Sequence, residues 1–148
     1  MSLRRIVIAV AVVALLAITW VVYGVISTLR GIPDAYAAWD TGILIIEYLE
    51  THEDQWPRSW EQLMTASATL EKNGKHLRGG SSVYGELRSR VSIDWNADPD
   101  AIARVEWQGG RLPVRVVTRT DGKEFPVVWE HGEPNEMIWY YLQKLRSD

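Results

Sequence analysis

The sequence contains no cysteine among its 148 residues. This absence excludes disulfides, thiolate nucleophiles, cysteine-based zinc sites and lipidation through a cysteine, and it removes the usual indicator of redox compartment. An Asn-x-Ser/Thr glycosylation acceptor is also missing. Neither an internal repeat nor a low-complexity segment occurs.

Charged side chains are absent from Ile6 to Leu29, an apolar run that follows Arg4 and Arg5 and precedes Arg30. Its 24 residues would form a helix about 36 Å long, enough to cross a hydrocarbon core of about 30 Å. A cleaved signal peptide is the alternative, but its apolar stretch is only about 7–15 residues long. The best small-x-small match nearby, Ala35 to Ala37, lies beyond Arg30 and after Pro33, where it is poorly placed for cleavage. The run therefore predicts an uncleaved signal-anchor whose partner is the lipid bilayer.

The basic residues around this run predict its orientation. Arg4 and Arg5 precede it, whereas Arg30 is soon followed by Asp34 and Asp40. Because cytoplasmic flanks are enriched in Lys and Arg, we expect residues 1–30 to form a cytoplasmic stub and transmembrane anchor. Residues 31–148, which have the size of one domain, then lie outside the cytoplasm as a periplasmic or other extracytoplasmic domain.

Positive charge is scarce beyond the apolar run. The first 30 residues hold three of the 16 basic residues and none of the 19 acidic ones, so residues 31–148 carry 13 basic and 19 acidic side chains, a net charge of −6. This charge repels phosphate backbones, and no Lys/Arg cluster offsets it. The sequence therefore argues against nucleic-acid binding.

Tryptophan is abundant, with eight residues in the chain, of which seven lie beyond the apolar run. One interpretation is that tryptophan supplies large buried area to a small core, with its N–H bonded near the surface. The other is an aromatic platform that binds glycans or peptides.

Helical periodicity begins near Asp34 and continues to about Thr51, and Pro33 predicts either the start of a new helix or a kink in a continuing one. The apolar stripe comprises Trp39, Gly42, Ile43, Ile46 and Leu49, widened by Leu44, Ile45 and Tyr48. The opposite face comprises Asp40, Glu47, Glu50, Thr51 and Asp54. So wide an apolar face predicts an amphipathic helix that lies across a sheet as the central packing element.

A second, shorter helix is predicted from Ser59 to about Leu70, because Ser59 and Gln62 fit a capping box. Pro57 predicts that the first helix ends before Trp56. Asn73-Gly74 indicates a turn, and the segment from Gly79 to Ser82 indicates a flexible loop.

The second half of the chain changes to a period of two, which predicts strands at Val91–Trp95, Val105–Trp107 and Val114–Thr118. Glu124–Trp129 is predicted as a fourth strand, placed at an edge because Pro126 lacks a donor. The expected links are Gly109-Gly110 and the hairpin signal Asp121-Gly122. Gly132-Glu133-Pro134 then opens a final helix. The predicted fold is α+β, with the transmembrane helix, an amphipathic helix, a short helix, a three- to four-stranded antiparallel meander and a C-terminal helix.

The segment Glu53-Asp54-Gln55-Trp56-Pro57, followed by Leu63, is similar to the Gly-x-Tyr-Pro then Leu segment common after the long helix of pseudopilins. With this order of elements, the chain resembles pilin-like proteins, namely type IV pilins and the pseudopilins of type II secretion. The resemblance implies an apolar helix continuing into an amphipathic one, a meander packed on it, and a subunit of a filament or secretion system. The chain departs from the family in lacking both the prepilin-peptidase site and a glutamate early in the apolar run.

One segment has the spacing of metal ligands. Asp94, Asn96, Asp98 and Asp100 place oxygen-bearing side chains at alternate positions, as in loops that curl around Ca²⁺. Pro99 at the sixth loop position and Val105 at the twelfth depart from the calcium-loop pattern. The alternative is a polar turn that is rich in Asx hydrogen bonds.

Catalytic motifs are not found. His52, His76 and His131 include no i, i+4 pair, the hydroxyls of Ser59, Ser81 and Ser82 lack a Gly-x-Ser-x-Gly elbow, and Gly79-Gly80 lacks a following Lys-Ser/Thr. We therefore predict no catalytic residues and no cofactor other than calcium at the segment above.

Taken together, these features predict a single-pass membrane-anchored envelope protein that is not an enzyme. Its extracytoplasmic domain is expected to act as an assembly, scaffold or interaction component with protein partners in the membrane or envelope. The alternatives are a pilin-like filament or secretion-system subunit, and a membrane-tethered hydrolase whose residues converge only in space.

Overall fold

The computed structural model describes residues 3–78, 84–126 and 132–147. The chain divides into two compact units, Met1–Ile32 and Pro33–Asp148. Helix α1 spans Leu3–Thr51 and contains Pro33. The expectation that Pro33 starts a new helix is therefore wrong, because the helix continues through it although proline removes one i→i−4 bond.

Within the described residues, four further helices and two strands follow α1, so the fold is mixed α and β. They are α2 (Trp60–Lys72), α3 (Tyr84–Arg90), β1 (Val91–Ile93), α4 (Pro99–Ala103), β2 (Val117–Arg119) and α5 (Pro134–Ser147). The strands form a two-stranded antiparallel sheet.

The second half of α1 supplies much of the core of the second unit. Leu44, Ile45 and Leu49 are fully buried there, as predicted for a central packing element. Asp40 and Glu47 were expected on a polar face, yet they are 0% and 3% exposed. The expectation is wrong because residues 73–78 cover that face: the main-chain N–H of Arg78 donates to Asp40 and the ammonium of Lys75 to Glu47.

Helix α2 begins as its capping signal predicts. Ser59 is the N-cap and its hydroxyl accepts from the main-chain N–H of Gln62 at 3.3 Å, while the Gln62 side chain accepts from Arg58 N–H at 2.7 Å. Gly74 has φ +69°, which confirms the turn that follows the helix. The loop predicted from Gly79 to Ser82 lies outside the described residues.

The sheet joins the first and third predicted strands. Val91 is paired with Arg119 and Ile93 with Val117, and Asp94 N–H donates to Val116 O beyond the last pair. The expected three- to four-stranded meander is not found in the described residues. Glu124 to Pro126 form no strand, and residues 127–129 of the fourth predicted strand lie outside the described part.

The prediction of a strand at Val105–Trp107 is wrong. Asp98 and Pro99 start α4, and Val105 N–H still donates to Ile102 O at its end. Val105 and Trp107 are half-buried and Glu106 is exposed, so the alternation predicted the burial. Pairing fails because this segment packs on α5, where the Trp139 indole donates to Val105 O.

Helix α5 confirms the final predicted helix and packs closely on α1. A Cβ added at Gly42 would lie 3.2 Å from Met137 Sδ, so glycine allows this approach. Asn135 at its first turn is 1% exposed. Its side-chain oxygen accepts from the N–H groups of Val116 and Val117 at 2.8 Å, and its nitrogen donates to Val117 O at 2.9 Å. This amide takes the place of a neighbouring strand beside β2.

Candidate functional site

The first unit presents an apolar surface. Every large apolar side chain between Ile6 and Leu29 is 42–78% exposed, with the highest values at Trp20 and Tyr23. Two polar interruptions are bonded within the helix, since the hydroxyls of Thr19 and Thr28 donate to the carbonyls four residues earlier at 2.8 and 3.0 Å. By length and composition, this helix is able to cross a membrane.

The predicted calcium ligands Asp94, Asn96, Asp98 and Asp100 lie in the connection between β1 and α4 and at the start of α4. Asp94 accepts from Asn96 N–H at 3.0 Å. Asp98 accepts from Asp100 N–H at 2.9 Å and is the N-cap of α4. Asp100 pairs with Arg146 at 2.9 Å. The bonds of Asp94 and Asp98 to the N–H two residues later are the Asx hydrogen bonds expected of a polar turn, whereas the Asp100–Arg146 contact is an ion pair with α5.

Metal-ligating side chains do not gather in the described parts of the chain: no group of three or more His, Cys, Asp or Glu residues is placed to hold a metal ion. Because Asp94 and Asp98 each use one oxygen in a turn or cap, a calcium ion would have to share these carboxylates with main-chain donors. The calcium site therefore stays a prediction.

A polar cleft adjoins this turn. Its volume is about 420 Å³, and it lies between the connection from α1 to α2 and residues 96–99. The residues that line it include Tyr48, Asp54, Gln55, Trp56, Arg58, Gln62, Asn96 and Asp98. The sequence predicted only Asn96 and Asp98 among these as ligand-binding residues, because the cleft is assembled from two segments, residues 48–62 and 96–99, that are distant in sequence.

Three contacts tie the two walls of the cleft together. The buried Trp56 indole donates to Asp94 O at 2.8 Å, and the Arg58 guanidinium donates to Trp95 O at 3.2 Å. The rings of Trp60 and Trp95 meet edge to face, with centroids 5.5 Å apart. The cleft is therefore preformed rather than dependent on a bound ligand.

The end of α1 brings strained backbone to the rim of this cleft. Glu53 and Asp54 have φ of 51° and 61°, a conformation that non-glycine residues rarely adopt. Asp54 accepts from the Tyr141 hydroxyl at 3.4 Å. Burial, followed by the negative charges of Asp54 and Glu50, raises the pKa of Tyr141 to about 12.

Buried and half-buried carboxylates on α1 bond to side chains from other segments. Glu47 bonds the Lys75 ammonium at 3.0 Å and the Asn73 amide at 3.2 Å, and its hydrogen bond and negative charge raise the pKa of Lys75. Asp34 bridges the guanidinium groups of Arg90 and Arg119 at 2.7 and 2.9 Å. These carboxylates stabilise the contacts of α1 with the rest of the unit.

The remaining sequence candidates have structural contacts or fall outside the described residues. The His52 ring stacks on Tyr48 at 3.9 Å, and its Nδ1 lies 3.0 Å from Tyr48 O. His76 is exposed. His131, Gly79, Gly80, Ser81 and Ser82 lie outside the described residues.

The described tryptophans of the second unit are mostly half-buried, and Trp56 is 3% exposed. Trp107, Trp139 and Tyr140 form an edge-to-face cluster, with Trp107 and Trp139 centroids 5.2 Å apart. This placement favours the use of tryptophan as core and core margin.

No family model, curated protein or solved structure matches this chain. Its function is therefore inferred from its own residues.

Proposed function

We propose that this chain is a single-pass membrane-anchored envelope protein whose second unit acts as a non-catalytic assembly, scaffold or interaction component. The exposed apolar surface from Ile6 to Leu29 is the observation that supports the proposal most strongly. Apolar surface of this extent is unfavourable in water, whereas a bilayer would cover it.

The polar groups of α1 are compatible with lipid. Helical main-chain N–H and C=O groups are bonded within the segment, as a hydrocarbon medium requires. The Thr19 and Thr28 hydroxyls also donate hydrogen bonds inside the helix, so they would not enter the bilayer as unpaired donors. Arg4, Arg5 and Arg30 flank the run, where they would lie at headgroup level.

The proposed orientation places the N-terminus in the cytoplasm and residues 31–148 outside it, following the bias of basic residues. Because the chain has no cysteine, single-cysteine variants can test this orientation. Ser92→Cys introduces a thiol on an exposed residue of β1, and Ser2→Cys introduces one before the apolar run. In intact cells, a membrane-impermeant maleimide should label the Ser92→Cys variant at once and the Ser2→Cys variant only after permeabilisation. The reverse pattern would overturn the orientation, and equal labelling of both variants would overturn the span.

A non-catalytic role for the second unit is supported by how three carboxylates of α1 are used. Asp34, Asp40 and Glu47 all engage donors from other segments of the same unit. Groups bonded in this way stabilise the fold and are poorly placed to move protons in a reaction.

The interaction role can be tested by crosslinking in the membrane. A photocrosslinking residue at exposed Ser92, and another at exposed Gln108, should capture discrete protein partners in the envelope. Ladders made only of this chain would instead favour a pilin-like filament subunit. Absence of any protein adduct at both positions, with the chain correctly inserted, would contradict an interaction role for these surfaces.

A further inference from the structure

We propose that the polar cleft between the α1–α2 connection and residues 96–99 binds a saccharide. The cleft has about 420 Å³ of volume, within the range of about 300–1,000 Å³ that is usual for small-molecule sites. It belongs wholly to the second unit, so the inference holds whether or not the first unit spans a membrane.

The hydrogen-bonding groups in the cleft are largely unused. Within the described residues, the side-chain amides of Gln55 and Asn96 have no hydrogen-bond partner, although both lie at the cleft. The Gln62 amide uses only its oxygen, which accepts from Arg58 N–H. Asp98 has one oxygen bonded to Asp100 N–H and the other directed to no described donor.

The mixture of these groups selects the class of ligand. A phosphate or carboxylate ligand would be repelled by Asp54 and Asp98. An apolar ligand would desolvate the amides without pairing them. A hydroxyl group both donates and accepts, so a polyhydroxylated ligand can pair with amides and carboxylates together.

The walls of the cleft are held in place before a ligand binds. Tyr48 and Trp56 line the cleft but are 7% and 3% exposed, so they support its walls and present little ring surface to a ligand. The indole bond from Trp56 to Asp94 O fixes the two walls before binding. A preformed site loses less conformational entropy when it binds a ligand.

The test is binding of defined sugars to the full chain in lipid nanodiscs, since detergents with sugar headgroups would compete. The monosaccharide probes are N-acetylglucosamine, glucose and galactose, and the oligosaccharide probes are chitotriose and maltotriose. Saturation-transfer NMR and calorimetry should show saturable binding of at least one probe. Tighter binding of a monosaccharide would indicate that the ligand is a free sugar. Tighter binding of a trisaccharide would indicate that the ligand is the end of a glycan.

Two variants locate the binding. Asn96→Ala and Gln55→Ala remove exposed, unpaired amides and should each weaken binding by about two- to tenfold without changing the circular dichroism spectrum. Gln108→Ala, an exposed amide that does not line the cleft, is the matched control and should leave affinity unchanged. Three results would overturn the proposal: no saturable binding of any sugar, sugar binding that is insensitive to both variants, or binding of spermidine at this cleft in place of sugars. None of these results depends on maleimide labelling of the anchor.

Discussion

The indole nitrogen of Trp56 donates a hydrogen bond of 2.8 Å to the main-chain oxygen of Asp94, 38 residues later in the chain. Trp56 is 3% exposed, so its indole N–H would lose a partner in a buried site if this bond were broken. This contact joins the segment after α1 to the end of β1, and it fixes both the sheet and the polar cleft.

Trp56→Phe should lower the free energy of unfolding by about 1–3 kcal/mol, because it leaves the Asp94 carbonyl without its donor. Trp107→Phe is the matched control: the Trp107 indole nitrogen is buried with no hydrogen-bond partner among the described residues, so this variant loses ring volume but no hydrogen bond and should lose less stability. Urea unfolding of the two variants measures the difference. An equal loss in both would show that ring volume, and not the hydrogen bond, determines stability at Trp56.

Asn135→Ala should destabilise the second unit by about 3 kcal/mol, because the N–H groups of Val116 and Val117 and the Val117 carbonyl would lose their partner in a buried site. The exposed Gln108→Ala should change stability by less than about 0.5 kcal/mol. Thermal unfolding followed by circular dichroism measures both. A loss at Asn135 no greater than at Gln108 would contradict its role as the partner of β2.

Asp98→Ala should cost about 0.5–2 kcal/mol of stability, because Asp98 is the N-cap of α4. The capping role predicts the same loss in EDTA and in millimolar Ca²⁺. A calcium-dependent rise in melting temperature in the unmodified chain that disappears in Asp98→Ala would instead support the predicted calcium site.

Alkaline pH should destabilise the second unit through Tyr141. Its pKa in the folded chain is about 12, above the ordinary value of 10.0, so the folded state holds this proton more tightly than the unfolded state. The resulting stability is present in full below pH 10 and is lost as pH rises towards 12. Phenolate absorbance should titrate at lower pH in Asp54→Asn, because this variant removes a negative charge beside the hydroxyl. In Tyr141→Phe, the loss of stability between pH 10 and 12 should be smaller than in the unmodified chain. An unchanged titration in Asp54→Asn would show that the Asp54 charge does not contribute to the raised pKa of Tyr141.

Local signals in the sequence predicted local structure well. The Ser59 and Gln62 box placed the start of α2, and Gly132-Glu133-Pro134 placed α5, because each element depends on neighbouring residues. Helices α3 and α4 were missed. Helix α4 is only five residues long, and its start at Asp98-Pro99 was interpreted as part of a turn or metal loop.

Contacts distant in sequence were not predictable in the same way. The period of two at Val105 and Trp107 correctly predicted which side chains are buried. Whether the segment forms a strand depends on the element beside it, and that element is the helix α5. Asp40 and Glu47 were placed on a polar face because their partners, Arg78 and Lys75, lie about 30 residues or more away. The cleft likewise depends on residues from separate segments, of which only Asn96 and Asp98 were predicted as ligand-binding residues.

Alkaline extraction of membranes from cells that express the full chain tests the proposed membrane anchor most directly. Carbonate washing should leave the chain in the membrane pellet, and a double variant with Leu16→Arg and Ile18→Arg should be shifted into the supernatant because charges within the apolar run oppose insertion. Ser92→Thr on exposed β1 should extract like the unmodified chain. Release of the unmodified chain into the supernatant would contradict the membrane anchor.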